Sequence, residues 1–310
     1  MAKKEKVALD GLDKFNRIKK PTNILFNIIF IILSLTCIIP VLLVLSISLS
    51  EESAITEFGY TLLPMRWSVE GYTFLFNQAT MILRALGISV LVTVVGTVLG
   101  TVMTMLLGYV MSRPTYKLKT FYSWVVFIPM VFNGGLVATY FITGNLLGLK
   151  NTIWALIFPL LISSFNVIIC RTFFKQTIPD SLIESAKIDG ARQFTIFFKI
   201  VLPISLPVLA TIGLFLAFAY WNDWYQSMLY VSDQKLYSLQ ALLNSIMSNI
   251  TALAQQVATI GADAAALIAN MPQEAARMAI VVIIVLPIAC AYPFFQKYFI
   301  SGLTVGAVKG

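Results

Sequence analysis

The sequence contains no histidine. That absence removes imidazole metal ligands, imidazole general bases and the serine or cysteine triads that depend on one. Charge is scarce as well. Asp, Glu, Lys and Arg together make up 12% of the 310 residues, about half the roughly 25% of a soluble domain. Only three cysteines occur, Cys37, Cys170 and Cys290. Each stands inside an apolar run and reads as a buried thiol behaving as a small hydrophobe, with no spacing that suggests a pair. A phosphate-cradling G-x-x-x-x-G-K-[ST] loop, a zinc-protease H-E-x-x-H and a dinucleotide G-x-G-x-x-G are all missing. The chain therefore hydrolyses no nucleotide itself, and its apolar runs hold no series of carboxylates that would relay protons.

Apolar sequence is abundant instead. Hydrophobic residues reach 58% and the mean hydropathy is +0.85. A helix crosses a hydrocarbon core of about 30 Å with about 20 mostly apolar residues. Six stretches qualify, near 23–48, 82–111, 121–143, 152–173, 203–230 and 276–297. The first follows the basic segment Lys14 to Lys20. Its apolar run exceeds the 7–15 residues of a signal-peptide core, so it reads as a retained span.

The net charge of +8 is explained by where the bases lie. Seventeen of the 22 lysines and arginines fall in the N-terminal segment, the loops after spans two and four, and the tail. The opposite side holds Arg66, Arg84, Lys150, Lys235 and Arg277. Positive charge collects on the cytoplasmic side of bacterial membranes, so both termini are expected there. Nucleic-acid binding is left without support. The expected fold class is an all-α polytopic membrane protein with six transmembrane helices. Its parts are a basic segment 1–20, a first span with its external loop over 21–80, a core over 81–298 and a tail over 299–310. The external segment 231–275 carries Leu236, Leu239, Leu242, Leu243 and Ile246 at helical spacing and reads as a helix on the outer surface.

The loop 175–203 is the most informative segment. Pro179 suits the first turn of a helix, and Asp180 and Glu184 suit its positive N-terminal end. Gly190 is the expected stop, because glycine accepts a left-handed C-terminal cap. A second short helix with Phe194, Phe197, Phe198 and Val201 follows, and Pro203 opens the fifth span. The first helix is expected to expose Leu182, Ile183 and Ala186 beside Glu184 and Asp189, a face suited to a groove on a partner. Spacing alone leaves a second reading open, an amphipathic connector resting on lipid headgroups.

Glu184-Ser185-Ala186, Gly190, Ile200, Leu202 and Pro203 stand at the positions of the EAA motif, which this loop resembles. That motif marks the permease subunits of ATP-binding-cassette (ABC) importers, and Ser185 replaces its usual middle alanine. Phe132-Asn133-Gly134-Gly135-Leu136, Asn151-Thr152-Ile153-Trp154-Ala155-Leu156 and Ala219-Tyr220-Trp221-Asn222-Asp223-Trp224 look like segments of complex-carbohydrate permeases. The ending from Tyr292 through Gly302, Thr304, Gly306 and Lys309 to Gly310 is similar to the tail of MalG-like subunits.

The resemblance implies a type I, MetI-like permease fold in the bacterial cell (inner) membrane. It implies a second homologous permease, a dimer of ATPase subunits that alone bind ATP and Mg, an extracellular or periplasmic solute-binding protein, and a carbohydrate substrate. Glu184, Ser185, Ala186, Asp189, Gly190, Leu202 and Pro203 would form the loop that couples to the ATPases. Gly302, Thr304, Gly306 and Lys309 would form a flexible tail reaching between them; a frayed terminus is the plain alternative. Trp221, Asn222, Trp224 and Tyr225 cluster near the outer half of span five, where aromatic faces stack on sugars and an amide bonds hydroxyls. Trp221 and Tyr225, four apart, would share one face. An aromatic belt at the membrane interface explains the same cluster. Asn133 with Gly134 and Gly135 would interrupt span three, as broken helices along pathways do, though simple kinking is an equal reading. Rival functions are an importer of the same architecture for a non-sugar solute and a channel that needs no ATP.

Overall fold

The structure, a computed structural model, describes residues 20–256 and 272–307. Among these the chain is almost wholly helical, with an isolated antiparallel bridge between Ser50 and Trp67 and no longer strand. The helices are α1 Lys20–Ser48, α2 Glu52–Phe58, α3 Glu70–Phe76, α4 Ala79–Ser112, α5 Lys119–Val131, α6 Gly135–Tyr140, α7 Trp154–Ile157 and α8 Ser164–Thr177. Then come α9 Asp180–Ile188, α10 Gln193–Ile196, α11 Leu202–Ile204, α12 Leu206–Trp221, α13 Tyr225–Tyr230, α14 Leu239–Gln256 and α15 Gln273–Ala307.

Among the described residues three segments are long and apolar enough to cross a membrane, Pro21–Ser48, Ala79–Ser112 and Gln273–Cys290. Two bent pairs raise the number to five: Trp154–Leu160 with Ser164–Thr177, at 52°, and Gln193–Ile204 with Leu206–Trp221, at 85°. The stretch expected as a third span, 121–143, is instead three short pieces. α5 ends at Val131, two residues after Pro129; Phe132, Asn133 and Gly134 break the helix; α6 and a π-helical turn, Phe141–Leu146, follow. The fifth span also differs from expectation. Pro203 lies in an arm that ends at Ile204, the chain turns at Ser205, and a 16-residue apolar helix starts at Leu206 and stops at Trp221.

The chain divides into two compact units. One comprises Met1–Phe74 with Asn270–Val282. In it the start of α15 is capped by a carboxylate far away in sequence: Glu52 accepts from the backbone N–H of Glu274 at 3.0 Å and of Ala275 at 3.1 Å. Those are N–H groups that a helix start leaves without partners. The Tyr60 hydroxyl donates to Glu274 Oε2 at 2.9 Å, and Arg277 pairs with Glu274. Gly71 packs on the α15 backbone at Ala275 so closely that a Cβ there would lie 2.7 Å from a carbonyl carbon. By contrast α1 is exposed along residues 21–42, as a helix that is apolar all round must be covered by lipid or a partner.

The other unit comprises Leu75–Ala269 with Ile283–Gly310 and is organised about α4. Small residues let α8 and α12 close on it, as in other membrane bundles. A Cβ on Gly96 would enter the Tyr220 ring, and one on Gly108 would lie 2.5 Å from Cys170 Cβ. The Tyr220 hydroxyl, buried in this contact, donates to the Ile157 carbonyl at 2.8 Å. Cys170 is buried as expected, but Cys37 and Cys290 are exposed. They sit on helices whose outer surfaces this chain does not itself cover.

The amphipathic external helix is present as α14. Leu239, Leu242, Leu243 and Ile246 are buried, and the Leu239 N–H donates to Ser89 Oγ on α4 at 2.7 Å. The remainder of the expected segment, residues 257–271, lies outside the described residues.

Candidate functional site

The loop 175–203 folds as two short helices separated by a glycine. α9 begins with Asp180, a carboxylate in its first turn, and Pro179 stands just before it as the cap. It ends in a Schellman motif. Gly190 takes φ +78°, its N–H donates to Lys187 O at 3.0 Å, and the Ala191 N–H donates to Ala186 O at 2.9 Å. This geometry satisfies carbonyls the helix end would leave open, and glycine adopts it without Cβ strain.

One face of α9 closes the core. Ile183 and Ala186 are buried, with Leu182 packed against them, in a cluster that includes Tyr109 of α4, Phe174 of α8, Ile196 and Phe197. Tyr109 meets Phe174 edge-on at 5.8 Å and Phe197 at 5.3 Å. Leu182, Ile183 and Ala186 therefore do not form the exposed face expected from their spacing. They seal the loop onto α4 and α8. The presented face is Ser181, Glu184, Ser185 and Ile188, with Lys187, Asp189 and Gly190 also exposed. Ser185 points outward, so a serine in place of alanine costs the packing nothing. Ala186 is buried in the cluster. Glu184 makes no hydrogen bond or ion pair among the described residues. In the second helix Phe197 and Val201 turn inward, whereas Phe194 and Phe198 are exposed. Leu202 is half-buried against the same cluster, and Pro203 is exposed.

The residue that fixes this loop is Arg113, at the end of α4, which in the sequence is one charge among several on the cytoplasmic side. It is only 8% exposed. Nη1 donates to Asp180 Oδ1 at 2.9 Å and Nη2 to the Phe174 carbonyl at 3.1 Å. Both reach the Ile178 carbonyl, and Nε donates to Ser112 Oγ at 3.0 Å. The guanidinium also lies 5.4 Å from the centre of the Tyr109 ring. One side chain thus closes the last turn of α8 and holds the first residue of α9, the work that a rigid fork of five donors does well. A sequence signal for it would have required knowing that α4 ends beside α8.

The remaining candidate residues are dispersed. Asn133 sits in the break before α6, where its Oδ1 accepts from the Gly135 N–H at 2.8 Å. Trp221 ends α12, is buried and donates from Nε1 to the Ile284 carbonyl at 3.3 Å. Asn222 turns its amide back onto the Phe218 carbonyl at 2.9 Å. Trp224 and Tyr225 are exposed and meet edge-on at 5.9 Å. Because the helix stops at Trp221 and restarts at Tyr225, the four-residue spacing does not put Trp221 and Tyr225 on one helical face.

Nearby, Asn151 at φ +57° accepts on Oδ1 from the Ser232 N–H at 2.6 Å, and its own N–H donates to Tyr230 O at 2.9 Å. Tyr230 stacks on Tyr140, over which Lys150 lies at 4.5 Å. The sequence motif around Asn151 thus ties the loop before α7 to the end of α13. Gly302, Thr304 and Gly306 fall within the helical backbone of α15, which runs to Ala307, rather than in a flexible tail; Lys309 lies outside the described residues.

Comparison with known proteins agrees with this architecture. Residues 96–305 match the family described as "Binding-protein-dependent transport system inner membrane component". The chain is 36% identical over 277 residues to the Bacillus subtilis protein named "Polygalacturonan/rhamnogalacturonan transport system permease protein YtcP", covering 89% of this chain and 94% of that one. It is also 36% identical to the B. subtilis protein LplC, over 88% of this chain and 90% of the relative. Among solved structures, a chain from a bacterial ABC transporter involved in importing the acidic polysaccharide alginate superposes with a TM-score of 0.77. The identity there is 25%, covering 90% of this chain and 97% of that chain.

Proposed function

The chain belongs to the family of binding-protein-dependent transport system inner membrane components, and from that premise we propose that it is one of two permeases in an ATP-driven carbohydrate importer. It spans the cell membrane six times with both termini in the cytoplasm. The broken segment Lys119–Leu146 supplies the third crossing, its gap at 132–134 covered by the second permease. A solute-binding protein delivers oligosaccharides or polysaccharide fragments to the outer side. ATP and Mg are bound by the two partner ATPases, and this chain catalyses nothing. The named substrates of the relatives, polygalacturonan, rhamnogalacturonan and alginate, favour acidic polysaccharide fragments.

The observation that carries this reading is the helix–glycine–helix loop. It is held by Arg113 at its start and by the Schellman motif at its end, and it presents an unpaired carboxylate at Glu184. A rigid loop transmits displacement; a loose connector would absorb it. Docked on the ATPases, Glu184 accepts charge-assisted hydrogen bonds, and closure of the ATPase dimer moves α9 together with the ends of α4 and α8. Ser185 and Asp189 extend the face offered to the ATPases, Ala186, Gly190 and Leu202 keep the loop in shape, and Pro203 follows them at its end. The end of α15, with Gly302, Thr304, Gly306 and Lys309, lies against the ATPases as a second contact. Trp224 and Tyr225, exposed beyond α12, are the better placed of the outer aromatics to meet sugar, with Trp221, Asn222 and Asn133 shaping the path from behind.

The test is uptake by the complete complex in proteoliposomes, with binding protein and labelled oligogalacturonate outside. ATP-dependent uptake supports the reading. Equal uptake without ATP would make the chain part of a channel, and uptake only of peptides or polyamines would remove the carbohydrate assignment.

A further inference from the structure

A pocket of about 660 Å³ opens beside α9, between the end of α4, the turn that follows it and α10. It is within the size range of cavities that take a ligand or a large side chain. Leu106, Val110, Ile183 and Phe197 give it an apolar lining. Tyr109 also lines it, and the Tyr109 hydroxyl is buried without a hydrogen-bond partner among the described residues. A buried hydroxyl left unpaired is costly, and each one in a native protein calls for an explanation. The rim carries Glu184 and Lys187, neither in an ion pair. Around it Phe194 is 73% and Ile188 86% exposed. An apolar floor and free charges of both signs on one rim describe half of a protein interface, with a seat for an anchoring side chain.

We infer that the partner ATPase inserts a large apolar or aromatic side chain into this pocket, so that docking is reciprocal: the coupling helix enters the ATPase and the ATPase enters the permease. This rests on the reading of α9 as the coupling helix. A basic residue beside the anchor faces Glu184 and an acidic one faces Lys187. A protein surface satisfies both charges together. Arg113 and Asp180 line the pocket already paired with each other, so an anionic lipid headgroup would satisfy Lys187 and leave Glu184 facing a like charge. A two-point attachment also resists rotation of α9 about its own axis, which a single helix in a groove does not.

Thr115 is exposed at the pocket mouth and is the place for a probe. Thr115→Cys is made with Cys37 and Cys290 changed to serine, and Thr120→Cys, exposed but outside the pocket, serves as control. Maleimide labelling is timed in nanodiscs holding the permease pair alone and the full complex with ATPases. The anchor predicts that Thr115→Cys labels about tenfold more slowly in the full complex, as at the desolvated centre of an interface, with Thr120→Cys unchanged. Thr115→Trp, which obstructs the mouth, is expected to lower ATPase retention by a similar factor. Equal labelling in both samples, while Glu184→Lys still releases the ATPases, would overturn the anchor and leave the coupling role standing. Slow labelling already in the permease pair, relieved by delipidation, would overturn it in favour of a bound lipid. ATPases that remain bound and coupled in Glu184→Lys would instead remove the coupling reading itself.

Discussion

Arg113 Nη1 lies 2.9 Å from Asp180 Oδ1, joining the end of α4 to the first residue of α9 across 67 positions of sequence. Asp180 is more than half exposed, so the charge attraction is modest. Most of the value of Arg113 is on its other side, at the Phe174 and Ile178 carbonyls at the end of α8, the first of which also accepts from the Ile178 N–H at 3.1 Å. The pair therefore works as a joint in which one partner is structural and the other sets the direction of a helix.

Arg113→Met should accordingly destabilise the loop by about 1–3 kcal/mol, since it removes the hydrogen bonds of a charged group to the Phe174 and Ile178 carbonyls. Asp180→Asn keeps an acceptor for the guanidinium and loses only an exposed ion pair, about 0–1 kcal/mol. Thermal unfolding of both variants in detergent should rank them in that order. Equal melting temperatures would show that the carbonyl contacts carry no weight.

Gly190→Ala should cost about 1–2 kcal/mol, because the left-handed conformation at φ +78° crowds a Cβ against the backbone. No neighbouring atom lies within 4 Å of the added carbon, so the cost is conformational rather than steric packing. Hydrogen exchange at the Ala191 amide, bonded to Ala186 O, should rise by about tenfold as the cap opens locally. Gly190→Asn should lie between the two, since asparagine tolerates the left-handed region.

Two glycines of α4 should respond in opposite ways. Gly108→Leu places a side chain where even a Cβ meets Cys170, and overpacking of this kind costs about 1–3 kcal/mol. Gly87 has nothing within 4 Å, so Gly87→Ala should be neutral or stabilising by up to about 1 kcal/mol. Monodispersity on size-exclusion chromatography after heating would separate them. If Gly108→Leu survives as well as Gly87→Ala, close approach of α4 and α8 is not required.

Tyr60 has its pKa raised above 10.0, first by its hydrogen bond to Glu274, then by burial and the Glu274 charge. A folded-state value above the unfolded one means a contribution to stability that is fully present below about pH 10. It is lost as the pH rises through the folded value. Ultraviolet difference titration of wild type against Tyr60→Phe should show a phenol ionising later than a free tyrosine. An ordinary titration would show that the bond to Glu274 does not form.

The sequence is a good guide wherever one-dimensional signals dominate, and a poor one where helix neighbours decide. Gly190, the carboxylates near the start of α9 and the buried leucines of α14 are visible because caps and helical periodicity are local. The orientation of α9 was not. Leu182, Ile183 and Ala186 mark its apolar stripe correctly, but whether that stripe meets a partner or the chain's own core depends on α4 and α8, and the core wins. Length also misleads in the stretches expected as the third and fifth spans. Hydropathy does not register the break at Asn133 and Gly134 or the turn at Ser205, because a chain can bend and remain apolar. Arg113 and Tyr109 were hidden for a further reason. Their roles come from contacts to backbone carbonyls and to a pocket, neither of which leaves a pattern in side-chain spacing.

The central claim is that α9 couples this permease to an ATPase, and co-purification tests it most directly. The chain carries an N-terminal tag, is extracted gently from its native membrane, and the associated subunits are counted by quantitative mass spectrometry for wild type and Glu184→Lys. The account predicts a second permease and two ATPases with the wild type, and the second permease without the ATPases in the variant. Recovery of identical complexes from both, or of this chain alone from both, would contradict it.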